Sequence, residues 1–243
     1  MTSIDPHAEN SRRWSTYAYG DDNSIRFIDP DGMDAKDDYK MLKDGTIQLV
    51  QQTSSTTDRI VQTKSNDDPK TDGKGNLKTD IGGIEKGILK DGENLKTGST
   101  LINVNGTNED GSKQATTAGV EDFALKLSDK VGSEVGGAYF SKDAGGNTTA
   151  ISLGGYGGNN QTTTKSYGEG AGGRAGLNLT GFFHIHPTLP WDPAGCDPSL
   201  SSEQDRTTRD AGLEGNPNLR YYLIYDGIGE HGEPFIKRDF TND

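Results

Sequence analysis

Residues 181–205 read G-F-F-H-I-H-P-T-L-P-W-D-P-A-G-C-D-P-S-L-S-S-E-Q-D, and the first seven of them decide how the rest is understood. Phe182, Phe183 and Ile185 make a strand apolar enough to be buried, and Pro187 ends it. Alternate side chains of a strand share a face, so His184 and His186 project together while Phe183 and Ile185 go the other way. Two imidazoles on one strand face are a ready pair of ligands for zinc. Downstream, Ser202-x-x-Asp205 has the form of a helix start and brings a carboxylate within folding reach as a third ligand. Two His and one Asp leave a coordination position open, which a catalytic zinc requires and a structural one does not.

Taken singly these features are bland. A bare H-x-H commonly marks two polar positions on a half-exposed strand, and Ser202-x-x-Asp205 is also a plain capping arrangement in which Asp205 reaches back to the Ser202 amide. It is the co-occurrence of H-x-H-P, S-x-x-D and an upstream glutamate that points to chemistry. Together they resemble the JAMM (JAB/MPN) metalloprotease family, whose pattern is a glutamate on an early strand, then H-x-H, then S-x-x-D. The matching glutamate is Glu134, in V-G-S-E-V-G-G-A-Y-F at residues 131–140.

The resemblance implies Zn²⁺ on His184, His186 and Asp205, with Glu134 as general base and then acid. It implies Ser202 as an oxyanion donor, and hydrolysis of a peptide or isopeptide amide. It also implies an α+β fold of the three-layer α/β, JAMM/cytidine-deaminase-like kind, a mixed sheet with helices on both faces. The stretch from His186 to Ser202 is longer than in that family, and its Pro-rich content suits a substrate-specificity loop. Asp192, Asp197 and Asp210 therefore compete with Asp205 as the third ligand, Asp197 most closely. Asp205 is preferred because a helix start fixes a carboxylate more firmly than a Pro-Gly loop does.

Composition bounds the alternatives. The chain has 243 residues, a formal net charge of -12, 29% hydrophobic residues and 34 glycines. So thin an apolar content predicts one compact domain with a polar, weakly packed remainder. The acidic balance, with no concentrated basic patch, argues against a nucleic-acid partner. The single cysteine, Cys196, excludes an internal disulfide and any CxxC knuckle. It lies near the proposed zinc and is read as a bystander. No secretory signal is recognisable, and no apolar run approaches the ~18 residues needed to span a bilayer. H-E-x-x-H is absent, and a lone cysteine cannot supply the deaminase P-C-x-x-C.

Residues 1–33 are turn signals around two short aromatic strands, Trp14–Tyr19 and Ile25–Ile28. S-I-D-P-H-A-E, W-S-T-Y-A-Y and I-R-F-I-D-P-D-G-M resemble the end of the Rhs/YD-repeat shell of Bacteroidetes-type polymorphic toxins. That resemblance implies a trimmed start, a shell belonging to the parent polypeptide, and a toxin cargo secreted into a target cell. A target-cell protein would be the substrate, and a cognate immunity protein a further partner. Residues 34–98 read as a polar, β-rich or partly disordered linker, with strands at Thr46–Gln51 and Asp58–Thr63 between Asp-Gly and Lys-Gly-Asn turns. Residues 99–243 read as the JAMM-like domain, opening with a strand at Ser99–Val104.

Within that domain Val120, Phe123, Ala124 and Leu127 fall at i, i+3, i+4 and i+7, one face of a helix over Val120–Ser128. Glu134 is expected in the strand that follows, among Gly132, Gly136 and Gly137, which would let a metal-bound group or a neighbouring backbone approach closely. A strand is expected at Thr148–Leu153 and a mobile Gly-rich flap at Gly154–Gly176. The helix opened by Ser202 is expected to end near Ala211, with Arg206 and Arg209 on its face. Strands at Arg220–Asp226 and Glu233–Phe240 follow. His7 and His231 are unpromising. Two other function classes stay open: a catalytically degenerate JAMM-like binding module, and a hydrolase of cell-wall peptides.

Overall fold

The computed structural model describes residues 36–53, 55–156, 175–186, 201–227, 229 and 232–243. Outside them lie the shell-like strands of residues 1–33, most of the Gly-rich flap, the loop carrying Trp191, Asp192, Cys196 and Asp197, and both His7 and His231. The fold is mixed α+β. The chain divides into two compact units, Met1–Asn94 with Asn105–Ala115, and Leu95–Val104 with Thr116–Asp243.

In the first unit β1 (Lys36–Met41), β2 (Ile47–Thr53), β3 (Asp58–Val61) and β4 (Thr79–Ile84) form one sheet in the order β2-β1-β3-β4. Four turns of this unit share one geometry. At Leu42–Thr46, Lys64–Asp68, Asp72–Asn76 and Asn108–Ser112, the first amide donates to the fifth carbonyl and the fourth amide donates back to the first. The fourth residue has a positive φ in each: Gly45, Asp67, Gly75 and Gly111. Glycine takes that conformation without steric cost and Asp tolerates it, so the Asp-Gly and Lys-Gly-Asn signals become hairpin turns with a bulge. Asp38 is buried at 2% exposure against a bidentate Arg59, with Nε 2.7 Å from Oδ1 and Nη2 2.8 Å from Oδ2. That pair explains how so charged a strand as β1 comes to lie inside the sheet.

The second unit is built on a six-stranded mixed sheet. Its strands are β5 (Gly98–Asn103), β6 (Gly136–Ser141), β7 (Ala150–Gly154), β8 (Asn178–His186), β9 (Arg220–Tyr225) and β10 (Ile236–Asp239). Their order is β10-β9-β8-β6-β7-β5. β8 and β9 run parallel and the other neighbours antiparallel. A parallel pair needs a crossover connection. The stretch from residue 187 to 219 supplies it, and contains the helix α2 (Glu203–Gly215).

Among the described residues the other helix, α1 (Thr117–Val131), is capped by Thr116, whose hydroxyl accepts from the Gly119 amide at 2.9 Å. It ends at Gly132 in the left-handed conformation, φ 63°. Its stripe of Val120, Phe123, Ala124 and Leu127 is buried, and it packs on β7, β8 and β9. Among the described residues no helix is long and apolar enough to cross a membrane.

Register fixes which side chains share a face. Gly137 pairs with Phe183 and Ala138 with Phe182 across β6 and β8, while Phe183 lies beside Tyr222 on β9. Phe183, Tyr139 and Tyr222 therefore stand on one face, with ring centroids 5.1 Å apart for Tyr139–Phe183 and 5.6 Å for Tyr139–Tyr222. The buried Glu121 of α1 accepts from the Tyr139 hydroxyl and from Lys237 Nζ at 2.6 Å. Ala138, Phe140, Phe182, Tyr221, Leu223 and Phe240 form a separate core cluster, against which Leu213 of α2 packs.

One expectation is corrected here. Glu134 is not in a strand, because β6 begins only at Gly136. The Ser133 amide and hydroxyl-bonded carbonyl are both committed to Ser128 at the end of α1, so the chain joins the sheet two residues late. Gly137 serves the second of the two uses expected of it, the close approach of a neighbouring backbone, since a Cβ there would lie 2.8 Å from the Ser152 carbonyl oxygen. A Cβ there would lie 2.3 Å from the Phe183 ring, so the glycine is required by core packing. Gly137→Ala should accordingly lose about 1–3 kcal/mol of stability through overpacking. Gly73→Ala, whose Cβ meets nothing within 4 Å, should stay within about 0.5 kcal/mol of the parent. Denaturant midpoints of the two variants check the contrast.

Candidate metal centre

The pleat of β8 sets up the site. Phe183 and Ile185 are 1% and 0% exposed, so His184 and His186 are turned together to the other face, half-buried. Their Nε2 atoms stand 3.1 Å apart. Asp205 approaches from the first turn of α2, its Oδ2 3.4 Å from His184 Nε2 and 3.9 Å from His186 Nε2. Glu134, on the segment between α1 and β6, puts Oε1 3.9 Å from His186 Nε2. That segment is tied to β8 by the Ile185 amide, which donates to the Val135 carbonyl at 2.8 Å.

Asp205 does two jobs. Ser202 caps α2 with its hydroxyl oxygen accepting from the Asp205 amide at 3.1 Å, and the Ser202 amide donates to Asp205 Oδ2 at 2.7 Å. The capping box is therefore real, and it aims the carboxylate at the histidines. Asp210, a rival third ligand, is occupied elsewhere: its Oδ1 accepts from Arg209 Nε at 2.8 Å, and its side chain is 63% exposed. Asp192 and Asp197 lie outside the described residues.

The donor set fits zinc. His184, His186 and Asp205 offer two ring nitrogens and one carboxylate oxygen, all within 4.8 Å of one another. A tetrahedral ion with bonds of ~2.0–2.1 Å needs ligand atoms roughly 3.3 Å apart, and the three separations bracket that value. Three electron-rich atoms converging on one point need a cation or shared protons between them. A proton between His184 and Asp205 would satisfy that pair, but His186 Nε2 faces the same point.

The two carboxylates are driven in opposite directions. Burial raises Glu134 from its ordinary 4.5 to about 7, against the opposing charge of His184 and with a further push from Asp205. Burial acts on Asp205 the same way. The hydrogen bond and charge of His184 and the Ser202 bonds outweigh it, and hold Asp205 well below the usual carboxylate range. One group is thus a committed anion and the other a base poised near neutrality, the division of labour expected at a functional site.

Two contributors carried no recognisable sequence signal. Phe240, just beyond β10, sets its ring edge-on to His184, centroids 5.8 Å apart at 88°. Ser128, fully buried, donates its hydroxyl to the Ser133 carbonyl at 2.7 Å and so steadies the residue before Glu134. No protein-family model matches the chain, and no curated protein sequence does.

The raised Glu134 has a signed consequence for the metal-free protein. Its contribution to stability is fully present below pH 4.5 and is lost as pH rises through about 7. Asp205 behaves oppositely: what it contributes is lost only as pH falls below its ordinary 3.8, outside that window. In chelator-treated samples, urea unfolding of the parent should therefore lose stability between pH 4.5 and about 7 relative to Glu134→Gln. Parallel curves for the two proteins would contradict the assignment of the shift to Glu134.

Proposed function

We propose that the second unit is a zinc metallopeptidase of JAMM type, hydrolysing peptide or isopeptide bonds of a target-cell protein. The observation that carries the reading is the convergence of His184, His186 and Asp205 with the Glu134 carboxylate beside them. Neither a helix cap nor an ion pair has use for that fourth group. The fold we propose is the three-layer arrangement with one helix on each face of the sheet. Supporting it, α1 reaches the Tyr139 face through Glu121, while α2 meets the Phe182 cluster through Leu213.

His184, His186 and Asp205 are the residues that would hold Zn²⁺. When bound, the ion supplies a Lewis acid for the scissile carbonyl and brings the pKa of a water to about 7. The protein residues do the rest. Glu134, with a proton affinity near neutrality, takes the proton of the attacking water and returns it to the leaving amine nitrogen. Ser202 uses its oxygen to accept from the Asp205 amide, so the hydroxyl proton remains to be donated to the oxyanion. The face shared by Phe182 and Phe240 makes one wall of the site apolar. Low polarity there strengthens each of these interactions.

The resemblance of residues 1–33 to an Rhs shell makes this unit the cargo of a secreted effector, with a cognate immunity protein as its antidote. The experiment compares zinc content and the proteome of cells expressing the chain with those of cells expressing Glu134→Gln. His184→Ala or His186→Ala should abolish zinc binding and proteolysis together. Glu134→Gln should keep zinc and lose ~10²–10⁴-fold in turnover, the usual worth of a general base. Asp205→Asn should bind zinc more weakly where Asp197→Asn does not. A zinc-loaded parent that cleaves nothing would favour the binding-module reading, and a parent that binds no zinc would refute the metallopeptidase.

A further inference from the structure

We infer that Arg209 is a positioning residue for the third metal ligand, holding α2 at the distance that brings Asp205 to the histidines. The inference rests on the metal reading of the site and adds to it a residue outside the donor set. Two of the ligands share β8 and are set by its pleat alone. The third arrives on a separate element, so the site exists only if something fixes α2 relative to the sheet.

Arg209 lies one helical turn beyond Asp205, on the same side of α2. It is 5% exposed, an unusual place for a guanidinium, which is almost never buried without partners. Its Nε donates to Asp210 Oδ1 at 2.8 Å and its Nη1 to the Phe240 carbonyl at 2.8 Å. Asp210 is its own neighbour on the helix, so that bond ties α2 to nothing else. The bond to Phe240 does.

Phe240 is bound into the sheet by its amide, which donates to the Tyr221 carbonyl at 3.0 Å, and it is 2% exposed. Its ring is the one set edge-on to His184. Arg209 therefore grips, through one backbone oxygen, the residue that also braces the first metal ligand. A second feature sets the approach. A Cβ on Gly212 would lie 1.8 Å from the Tyr221 hydroxyl, so at this point α2 comes down onto β9 as closely as glycine permits.

The test reads metal affinity and needs no substrate. Zinc affinity would be measured by chelator competition on the full chain, alongside apo-protein melting. The variants are Arg209→Met, which keeps much of the side-chain volume without donors, Asp205→Asn, and the two combined. Arg209→Met should bind zinc about 10–100-fold more weakly, the range typical for groups that orient a ligand. Its effect should shrink in the Asp205→Asn background, because a misplaced ligand and a missing one are the same loss.

A residue that merely stabilises the fold would lower the melting temperature while its effect on affinity added to that of Asp205→Asn. Unchanged affinity in Arg209→Met, or full additivity, overturns the inference. Should Arg209→Met not fold, the same cycle is run with Arg209→Lys, which cannot keep both bonds, and additivity there is equally decisive. Failure of the metal reading shows separately, as a parent chain that takes up no zinc.

Discussion

The pleat of one strand governs the second unit. Because Phe183 and Ile185 must be buried, His184 and His186 cannot be anywhere but together on the opposite face. A slip of β8 by one residue against β6 would exchange the faces, sending two imidazoles into the core and two apolar side chains out. The cost of that exchange, several kcal/mol for two large apolar residues alone, makes the register robust. The pairing of Gly137 with Phe183 adds a steric lock, since only a glycine accommodates the ring. Core packing and the position of the candidate ligands are thus one constraint, not two.

The carboxylates answer to a different logic. Against its burial, Asp205 is kept ionised by the neighbouring His184 and then by the Ser202 cap, while Glu134 is pushed towards its neutral form mainly by burial. Two acids each 3.9 Å from the same His186 nitrogen would ordinarily compete for one proton. Their attachments separate them: one is fixed by a capping box, the other stands on a short segment held by Ser128 on one side and Ile185 on the other. The segment gives Glu134 little freedom without enclosing it in backbone donors that would depress its pKa.

How much of this was legible in the sequence follows from how local each cause is. The alternation in F-F-H-I-H, the apolar stripe of Val120, Phe123, Ala124 and Leu127, and the S-x-x-D start are local patterns, and the structure has a strand, a helix and a helix start at those places. β1 could not be read, because K-D-D-Y-K-M is almost wholly polar and its burial depends on Arg59, which is remote in sequence. β4, T-D-I-G-G-I, is obscured by its paired glycines. The sequence around Glu134 points to a strand because the strand-like run begins there. What delays β6 is a side-chain bond from Ser128 that no periodicity reports. Helix α2 runs on to Gly215, past the expected Ala211, because its last turn packs Leu213 into the cluster and sets Gly212 against Tyr221. The contribution of Phe240 depends on tertiary contact alone.

The length of the connection between His186 and Ser202 bears on whether Asp205 can serve as a ligand at all. A site whose third ligand hung from that connection would be sensitive to every residue added to it. Here the position of Asp205 is set downstream: by the Ser202 cap, the Arg209 bond to Phe240, the approach of Gly212 to Tyr221, and the seat of Leu213 in the cluster. What the connection must do is close, and closure entropy grows only by about 0.6 kcal/mol for each doubling of length. The helix is anchored by its own far end, so the position of Asp205 does not rest on how long that connection is. A long Pro-rich stretch between His186 and Ser202 is therefore compatible with the ligand geometry that α2 sets, as connecting segments tolerate change better than the elements they join.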